Sequence, residues 1–262
     1  MIQVHGHRGA RAVRPENTIP AFEYAIEAGA DYLEMDVVVT ADDVVVVAHD
    51  PILNPMIWRG GRPGSSTVIR DLPLSEIRQW DAGSLRHPRF PKQAASPGAR
   101  IPTFDEVLVL GAPAPVQFNV EVKSFPRRPE YAPAPQRFAW LVADAIRRRA
   151  LEPRVMVQSF DFRVLHAMKA QAPEIRLAAL WEYGQEDFVS IAREAGTRIV
   201  APQHTLVTPD KVEAAHRKGI QIIPWTANSP GNWERLMRAR VDGVITDDPA
   251  RLIDWLRRKG LR

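Results

Sequence analysis

The fold is decided by residues 5–51, which read HGHRGARAVRPENTIPAFEYAIEAGADYLEMDVVVTADDVVVVAHDP. An apolar run leads into this stretch and stops at His7-Arg8-Gly9, which predicts a strand over 2–6 and then a turn. Apolar residues at helical spacing follow and predict a helix over 19–28. The next apolar run predicts a second strand over 32–36. A strand, a helix and a strand in this order are typical of a parallel sheet.

Residues 37–48 predict a β-hairpin, with Ala41-Asp42-Asp43 as its turn. The return strand of this hairpin would bring His49 beside Glu34 and Asp36 on the second strand. Those two acids are two positions apart, so both side chains leave the strand on the same face. Two carboxylates on one buried face repel each other and lose hydration unless a cation lies between them. The stretch therefore predicts a polar site at the end of the sheet.

Strands and helices alternate along most of the remaining chain, which predicts a parallel sheet with right-handed crossovers. We expect strands at 116–122, 155–159, 175–180, 198–201, 220–225 and 243–246. We expect the intervening helices at 105–110, 136–149, 162–171, 187–195, 209–218, 232–239 and 249–259. Eight barrel strands in 262 residues suit a (β/α)8 TIM barrel, with the hairpin extending its second strand. We therefore expect one catalytic domain over 1–262.

Residues 52–100 interrupt the alternation because proline, glycine, serine and arginine are frequent there. One short helix is predicted, at 74–80. A long irregular segment inside a compact domain is usually functional or disordered. Because this segment follows His49 directly, we interpret it as a small cap over the site. Its large aromatic residues could anchor the cap or contact the substrate, and we expect anchoring because large apolar side chains bury readily: Trp58, Trp80 and Phe90.

Composition restricts the cofactor and the partners. The chain has no cysteine, which excludes disulfides and thiolate metal sites. Its net charge of +4 favours anionic ligands in general terms, but the sequence has no nucleic-acid-binding signature. The N-terminus has no signal-peptide pattern, and no apolar run is long enough to cross a membrane. We therefore expect a cytoplasmic protein with no nucleic-acid partner and no stable membrane anchor.

The predicted strand ends bring three carboxylates together, those of Glu34, Asp36 and Glu121. Oxygen ligands select Mg²⁺, Ca²⁺ or Mn²⁺. Arg8 and Lys123 add positive charge, and the combination suits a phosphate ester. The alternative is that Arg8 pairs with Glu34 and Lys123 with Glu121 as salt bridges, without any catalysis.

Several motifs of this chain together resemble the glycerophosphodiester phosphodiesterase family. They are HRG, PENT, E-x-D and HDP in the first stretch, and later IPTFDEVL, NVEVKS, VQSF, IPWTAN and DGVITDDP. The resemblance implies metal-dependent hydrolysis of small glycerophosphodiesters to glycerol 3-phosphate and an alcohol. It also implies that a glycerol hydroxyl of the substrate attacks phosphorus and that a cyclic phosphate forms. The oligomeric state is left open.

The same resemblance implies roles for individual residues. The acid–base pair would be His7 and His49. The ligands of one divalent cation, Mg²⁺ or Ca²⁺ with Mn²⁺ as a further choice, would be Glu34, Asp36 and Glu121. The substrate would be bound by Arg8, Lys123, Phe160 and Trp225.

Two departures from the family pattern concern the alcohol beyond the phosphate. After His49 the chain reads DPILNPMIWRGG, and near residue 203 it reads APQHT. Both put the preferred head group in doubt. Alternative interpretations are a lysophospholipase D, an enzyme on lipids like a phospholipase C, and a phosphodiester-binding module without catalysis.

Overall fold

The computed structural model describes residues 1–60 and 67–262. Within these ranges the strands are β1 (Gln3–Gly6), β2 (Tyr32–Val39), β3 (Val45–Val47), β4 (Gln117–Val122), β5 (Val155–Ser159), β6 (Arg176–Trp181), β7 (Ile199–Pro202), β8 (Gln221–Ile222) and β9 (Gly243–Thr246). The α-helices are α1 (Ile19–Glu27), α2 (Leu74–Ile77), α3 (Phe104–Gly111), α4 (Pro135–Arg148), α5 (Phe162–Gln171), α6 (Phe188–Ala195), α7 (Pro209–His216), α8 (Pro230–Arg238) and α9 (Pro249–Arg258). No helix in these ranges has the length and apolarity needed to cross a membrane.

All strands except β3 pair in parallel, in the order β8-β7-β6-β5-β4-β2-β1-β9. The end strands β8 and β9 form no ladder, but backbone hydrogen bonds join their segments. Asp242 N donates to Ile222 O at 2.9 Å, and Ile245 N donates to Pro224 O at 2.9 Å. These bonds close the sheet into an eight-stranded barrel surrounded by helices. The prediction of a TIM barrel is confirmed.

The predicted hairpin on the second barrel strand is confirmed. Strand β2 runs beyond the barrel to Val39, and β3 returns antiparallel with Val37 opposite Val47. After the return, Ala48 N donates to the carbonyl of Asp36 at 3.0 Å. The chain therefore reaches His49 at the carboxyl end of β2, as predicted.

The cap packs on the outer face of the hairpin. A separate hydrophobic cluster joins hairpin residues to cap residues and to Ile101, which follows the cap; its hairpin and cap members are Val38, Val46, Ala48, Leu53, Ile57, Trp58, Ile69, Ile77, Trp80 and Ala82. Trp58 and Trp80 are buried as predicted, whereas Phe90 is only partly buried. Residues 61–66 of the predicted cap lie outside the described residues.

The two ends of the cap lie side by side. Val47 N, just before the cap begins, donates to the carbonyl of Pro102, just after it ends, at 2.8 Å. Val46 also forms an antiparallel bridge with Thr103. Within the cap, Asp81 accepts hydrogen bonds from the backbone of Gly83 and Gly98. The segment thus starts and finishes at one point on the barrel.

Two predicted elements are shorter in the structure. The strand predicted over 220–225 is regular only at Gln221–Ile222, since Pro224 has no N–H to continue a ladder. The helix predicted over 74–80 ends at Ile77. Most other bounds differ from prediction by one or two residues, as helix and strand ends commonly do.

Candidate active site

The predicted carboxylates meet inside the carboxyl end of the barrel. Glu34 and Asp36 lie on β2 and Glu121 on the neighbouring β4, with Asp36 directly opposite Glu121 in the ladder. One oxygen atom from each lies within 4.8 Å of the others. All three side chains are buried. The sequence spacing therefore predicted this cluster correctly.

The turn after β1 is shaped to reach the cluster. Backbone N–H of Arg8 donates to Glu34 Oε2 at 2.9 Å. Gly9 follows with a φ of +81°. It packs so tightly against Ala21 that a Cβ added to Gly9 would lie 2.7 Å from the backbone carbonyl carbon of Ala21. Only glycine satisfies both conditions, which explains the HRG motif physically.

The three carboxyl groups differ in their electrostatic surroundings. Burial raises the pKa of Glu34 well above its ordinary value, and repulsion from Asp36 and Glu121 raises it further. Burial also raises the pKa of Asp36, but the nearby Lys123 and Arg8 outweigh this effect and hold it well below normal. For Glu121 burial prevails over the attraction of Lys123, and its pKa is raised. When all three groups are ionised, their negative charges outnumber the positive charges of Lys123 and Arg8.

The two cations of the site are ion-paired. Lys123 Nζ lies 2.6 Å from Glu121 Oε1 and 3.1 Å from Asp36 Oδ1. Arg8 Nη1 donates to Glu16 Oε1 at 2.7 Å, and its Nε lies 3.2 Å from Asp36 Oδ2. Of the two salt bridges in the alternative prediction, the pair of Lys123 with Glu121 forms, whereas Arg8 pairs with Glu16 and Asp36 and not with Glu34. Both cations nevertheless line the cavity of the site, so they remain near any ligand within it.

His7 is held by an aspartate and an asparagine. Its Nδ1 donates to Asp247 Oδ1 at 2.5 Å, and Asn228 Nδ2 donates to Asp247 Oδ2 at 2.7 Å. The other ring nitrogen, Nε2, lies 4.0 Å from Glu34 Oε2. Burial lowers the pKa of His7, and Asp247 opposes that effect. The ring thus presents Nε2 to the carboxylate cluster.

His49 is likewise held by an aspartate and an asparagine, which in its case follow it closely in the chain. Its Nδ1 donates to Asp50 Oδ1 at 2.7 Å, and Asn54 Nδ2 donates to Asp50 Oδ2 at 3.0 Å. Each of the two histidines therefore has its Nδ1 bonded to an aspartate, which is in turn bonded by an asparagine. This arrangement fixes the tautomer and leaves Nε2 available.

A cavity of about 410 Å³ contains these groups. Its lining residues include His7, Arg8, Arg11, Glu34, His49, Arg89, Glu121, Lys123, Gln158, Phe160, Glu182 and Trp225. The rings of Phe160 and Trp225 meet edge to face at 5.6 Å and form an apolar side. A larger cavity of about 690 Å³ lies elsewhere, near Ile19, Pro97 and Val109. We place the site in the smaller cavity because two of the three carboxylates and both histidines line it.

Comparison with known proteins identifies the family. The model of the glycerophosphoryl diester phosphodiesterase family matches residues 7–251. A glycerophosphodiester phosphodiesterase of Caldanaerobacter subterraneus is 33% identical over 98% of each chain. The chain belongs to the glycerophosphoryl diester phosphodiesterase family. The prediction of a phosphodiesterase from the sequence motifs is thereby confirmed.

Solved structures agree with this family assignment. A crystal structure of a candidate member of the family from Silicibacter pomeroyi has a TM-score of 0.94 and 33% identity, and the match covers 100% of this chain and 95% of that one. An Oleispira antarctica phosphodiesterase, solved with sn-glycerol-3-phosphate, has a TM-score of 0.82 at 20% identity over 97% and 96% of the chains. The second likeness concerns the fold alone.

The carboxylates of this family member fit a divalent cation. Asp36 Oδ1 is buried and accepts no hydrogen bond, although it lies near Lys123. Glu34 has no lysine or arginine ion pair among the described residues. An all-oxygen cluster with surplus negative charge is the environment that Mg²⁺, Ca²⁺ or Mn²⁺ prefers. The residues that would hold the ion are Glu34, Asp36 and Glu121.

Sequence reasoning missed several polar residues of the site. Glu16 joins Arg8 to Arg11, Asn17 donates to Asp36 Oδ2 at 2.9 Å, and Gln158 donates to Glu34 Oε1 at 3.1 Å. Glu16 and Asn17 are part of the PENT motif, and Gln158 is part of VQSF. The motifs themselves were therefore the signal that could have identified these three residues as part of the site.

Proposed function

We propose that this enzyme hydrolyses glycerophosphodiesters to glycerol 3-phosphate and an alcohol, with a divalent cation and two histidines. The observation that carries the proposal is one cavity lined by His7, His49 and two of the three clustered carboxylates. Family membership supports the same reaction class. We further propose that residues 1–262 act as one catalytic domain, with 52–100 as its cap.

The cation would be held by Glu34, Asp36 and Glu121. When bound, it supplies positive charge that stabilises the nonbridging oxygens of the phosphate. Which of Mg²⁺, Ca²⁺ and Mn²⁺ serves is part of the test. Arg8 and Lys123 would add fixed charge near the phosphate. Phe160 and Trp225 would contact the glycerol carbons, since they form the apolar side of the cavity.

The two histidines would move the protons of the reaction. One takes the proton from a glycerol hydroxyl as its oxygen bonds to phosphorus, and the other gives a proton to the alcohol oxygen as its bond to phosphorus breaks. The product of this step is a cyclic phosphate, which water then opens to glycerol 3-phosphate. The proposal is supported by the aspartate on each Nδ1, which leaves both Nε2 atoms available for proton transfer.

Release of glycerol 3-phosphate from glycerophosphocholine tests the reaction. We expect release with added Mg²⁺, Ca²⁺ or Mn²⁺ and none in excess chelator. His7→Ala and His49→Ala should each lower turnover roughly 10²–10⁴-fold, and rate against pH should be bell-shaped. His166→Ala, on an exposed helix position, is the matched control and should behave as wild type. Full activity in chelator, or in His49→Ala, would contradict the proposal.

Metal binding has a second readout that does not depend on turnover. A cation that binds only the folded state raises the unfolding temperature as its free concentration increases. We expect this rise for the wild type and a smaller one for Glu121→Gln.

Lysophosphatidylcholine should be a poorer substrate than glycerophosphocholine. A cytoplasmic location stays a prediction.

A further inference from the structure

A second cavity adjoins the active site on the side of His49. It has a volume of about 360 Å³ and lies between the turn after β1 and the cap. Its lining residues are Arg8, Arg11, Glu16, His49, Asp50, Asn54, Met56, Ile57, His87, Pro88 and Arg89. Four of them also line the active-site cavity, namely Arg8, Arg11, His49 and Arg89. The two spaces are therefore neighbours across His49.

The cap wall of this second cavity is fixed to the barrel. Gln93 is buried, and its Nε2 donates to the carbonyls of Arg11 at 2.7 Å and Arg14 at 2.8 Å. Its Oε1 accepts from the backbone N–H of His87 at 3.0 Å. Arg89 N in turn donates to His87 Nδ1 at 3.1 Å. The cavity is thus formed by residues that hold one another in place.

The carboxylates in this cavity are already engaged. Glu16 is bonded by Arg8 Nη1 at 2.7 Å and lies 2.8 Å from Arg11 Nη2. Both oxygens of Asp50 are used by His49 and Asn54. Three arginines face these two carboxylates in the lining, so the charged side chains of the cavity are positive in sum.

Two arginines retain unused donors. Arg11 is only 9% exposed, and its Nε is buried without a hydrogen-bond partner. Arg89 is exposed at the mouth of both cavities. Its side chain forms no hydrogen bond or ion pair in the part of the chain that the structure describes. The unpaired guanidinium of Arg89 and the buried guanidinium of Arg11 together favour an oxyanion as ligand. A guanidinium group can bind an oxyanion with two N–H donors at once.

We propose that this cavity binds the head group of the substrate and favours head groups that carry an oxyanion, either a phosphomonoester or a carboxylate. The inference rests on the proposed function, in which phosphorus lies between His7 and His49. With glycerol on the side of Phe160 and Trp225, the other alcohol extends past His49 into this cavity. A cationic head group such as choline would meet arginines there, and it would bind less well.

Binding of two matched diesters tests the proposal. Glycerophosphoglycerol has a neutral head group, and glycerophosphoglycerol phosphate adds one terminal phosphomonoester. Both are titrated calorimetrically in chelator, so that turnover does not intervene and any weakening at the carboxylate cluster affects both alike. We expect wild type to bind the phosphorylated diester roughly 3–10-fold more tightly, since ion pairs with exposed groups are modest. The preference should weaken at high salt.

Arg89→Glu is the decisive variant, and Arg86→Glu is its matched control. Both residues are exposed cap arginines, and Arg86 lines neither cavity. We expect the preference to fall to about one or below in Arg89→Glu and to persist in Arg86→Glu. Equal binding of the two diesters by wild type, no binding of either, or equal loss in both variants would overturn the inference. Absence of hydrolysis with every diester would instead contradict the proposed function, while the ratio of the two binding constants would still decide whether this cavity prefers an oxyanion.

Discussion

The two histidines of the site are held in the same way, although their supporting aspartates lie at very different distances along the chain. His7 is bonded by Asp247, 240 positions away, and His49 by Asp50, its neighbour. A carboxylate on Nδ1 orients the ring and stabilises its charged form. Asp247 and Asp50 are therefore positioning residues, and each can be altered without removing a histidine.

Asp247→Asn should lower turnover by roughly 10²–10⁴-fold while the fold and metal binding survive. An amide can donate to Nδ1, which favours the tautomer with its proton on the wrong nitrogen. Asp247 also raises the pKa of His7 against the effect of burial, so the acidic limb of the rate profile should move to lower pH if His7 is the base. Steady-state kinetics across pH measure both effects.

The control for this variant is Asp248→Asn on the next residue. Asp248 caps α9 by accepting from Arg251 N at 3.1 Å, and asparagine caps helices equally well. This variant should therefore keep wild-type turnover. Equal rates for Asp247→Asn and wild type would show that the aspartate does not position His7.

Single residues of the site differ in how well sequence predicted them. Glu34 and Asp36 could be predicted because strand geometry alone puts alternate residues on one face. His7 and His49 were identified through motifs. The role of Asp247 could not be predicted, because its contact with His7 depends on β1 pairing with β9 at the closure of the barrel. The same holds for Arg11 and Glu16, whose contacts arise in an irregular turn.

At the scale of elements, the cap is more than a surface loop. Trp58 and Trp80 fill a cluster that includes Val38 and Val46 of the hairpin. Sequence predicted the anchoring by aromatic residues, but it did not predict that the hairpin supplies the other half of the cluster. Hairpin and cap should consequently lose their order together.

Trp80→Ala should destabilise the cap by about 3–5 kcal/mol, the usual cost of removing a large buried side chain. Backbone amides of the cap should then exchange hydrogen faster, while those of β4 and β5 keep their protection. Hydrogen exchange followed by mass spectrometry separates the two regions. Trp140→Ala is the matched control, since Trp140 is 48% exposed on α4. Uniformly faster exchange throughout the barrel would contradict an independently stabilised cap.

For the whole molecule, the opposite end of the barrel interior contains polar groups unrelated to the site. His5 is fully buried, stacks on Tyr32 at 4.0 Å and lies 3.3 Å from Asn119 Nδ2. Burial lowers the pKa of His5 to about 3, and the charge of Arg176 contributes to this. The ring is therefore neutral in the folded state over most of the acidic range.

This histidine should make stability fall with acidity. The unfolded chain takes up a proton at His5 near pH 6.5, but the folded chain does not until about pH 3. The contribution of the neutral His5 to the free energy of unfolding is thus fully present above pH 6.5 and is lost as the pH falls toward 3. Between pH 7.5 and 4.5 it amounts to roughly 2–3 kcal/mol. Urea unfolding of wild type and His5→Leu at both pH values measures it.

Between pH 7.5 and 4.5, the free energy of unfolding of His5→Leu should fall by roughly 2–3 kcal/mol less than that of wild type. His166→Leu, at an exposed position, is the control and should follow wild type. Identical pH dependence in wild type and His5→Leu would mean that His5 is protonated in the folded barrel as readily as in the unfolded chain.

The adjacent ends of the cap, where Val47 bonds to Pro102, make this segment an exchangeable module. The entropy cost of closing a loop between these two points grows only slowly with the length of the inserted chain. A cap from a relative could thus be grafted between these points without moving a barrel strand, provided that it supplies apolar partners for Val38 and Val46. Chimeras of this kind would give a route to enzymes that share one reaction centre and differ in the alcohol they release.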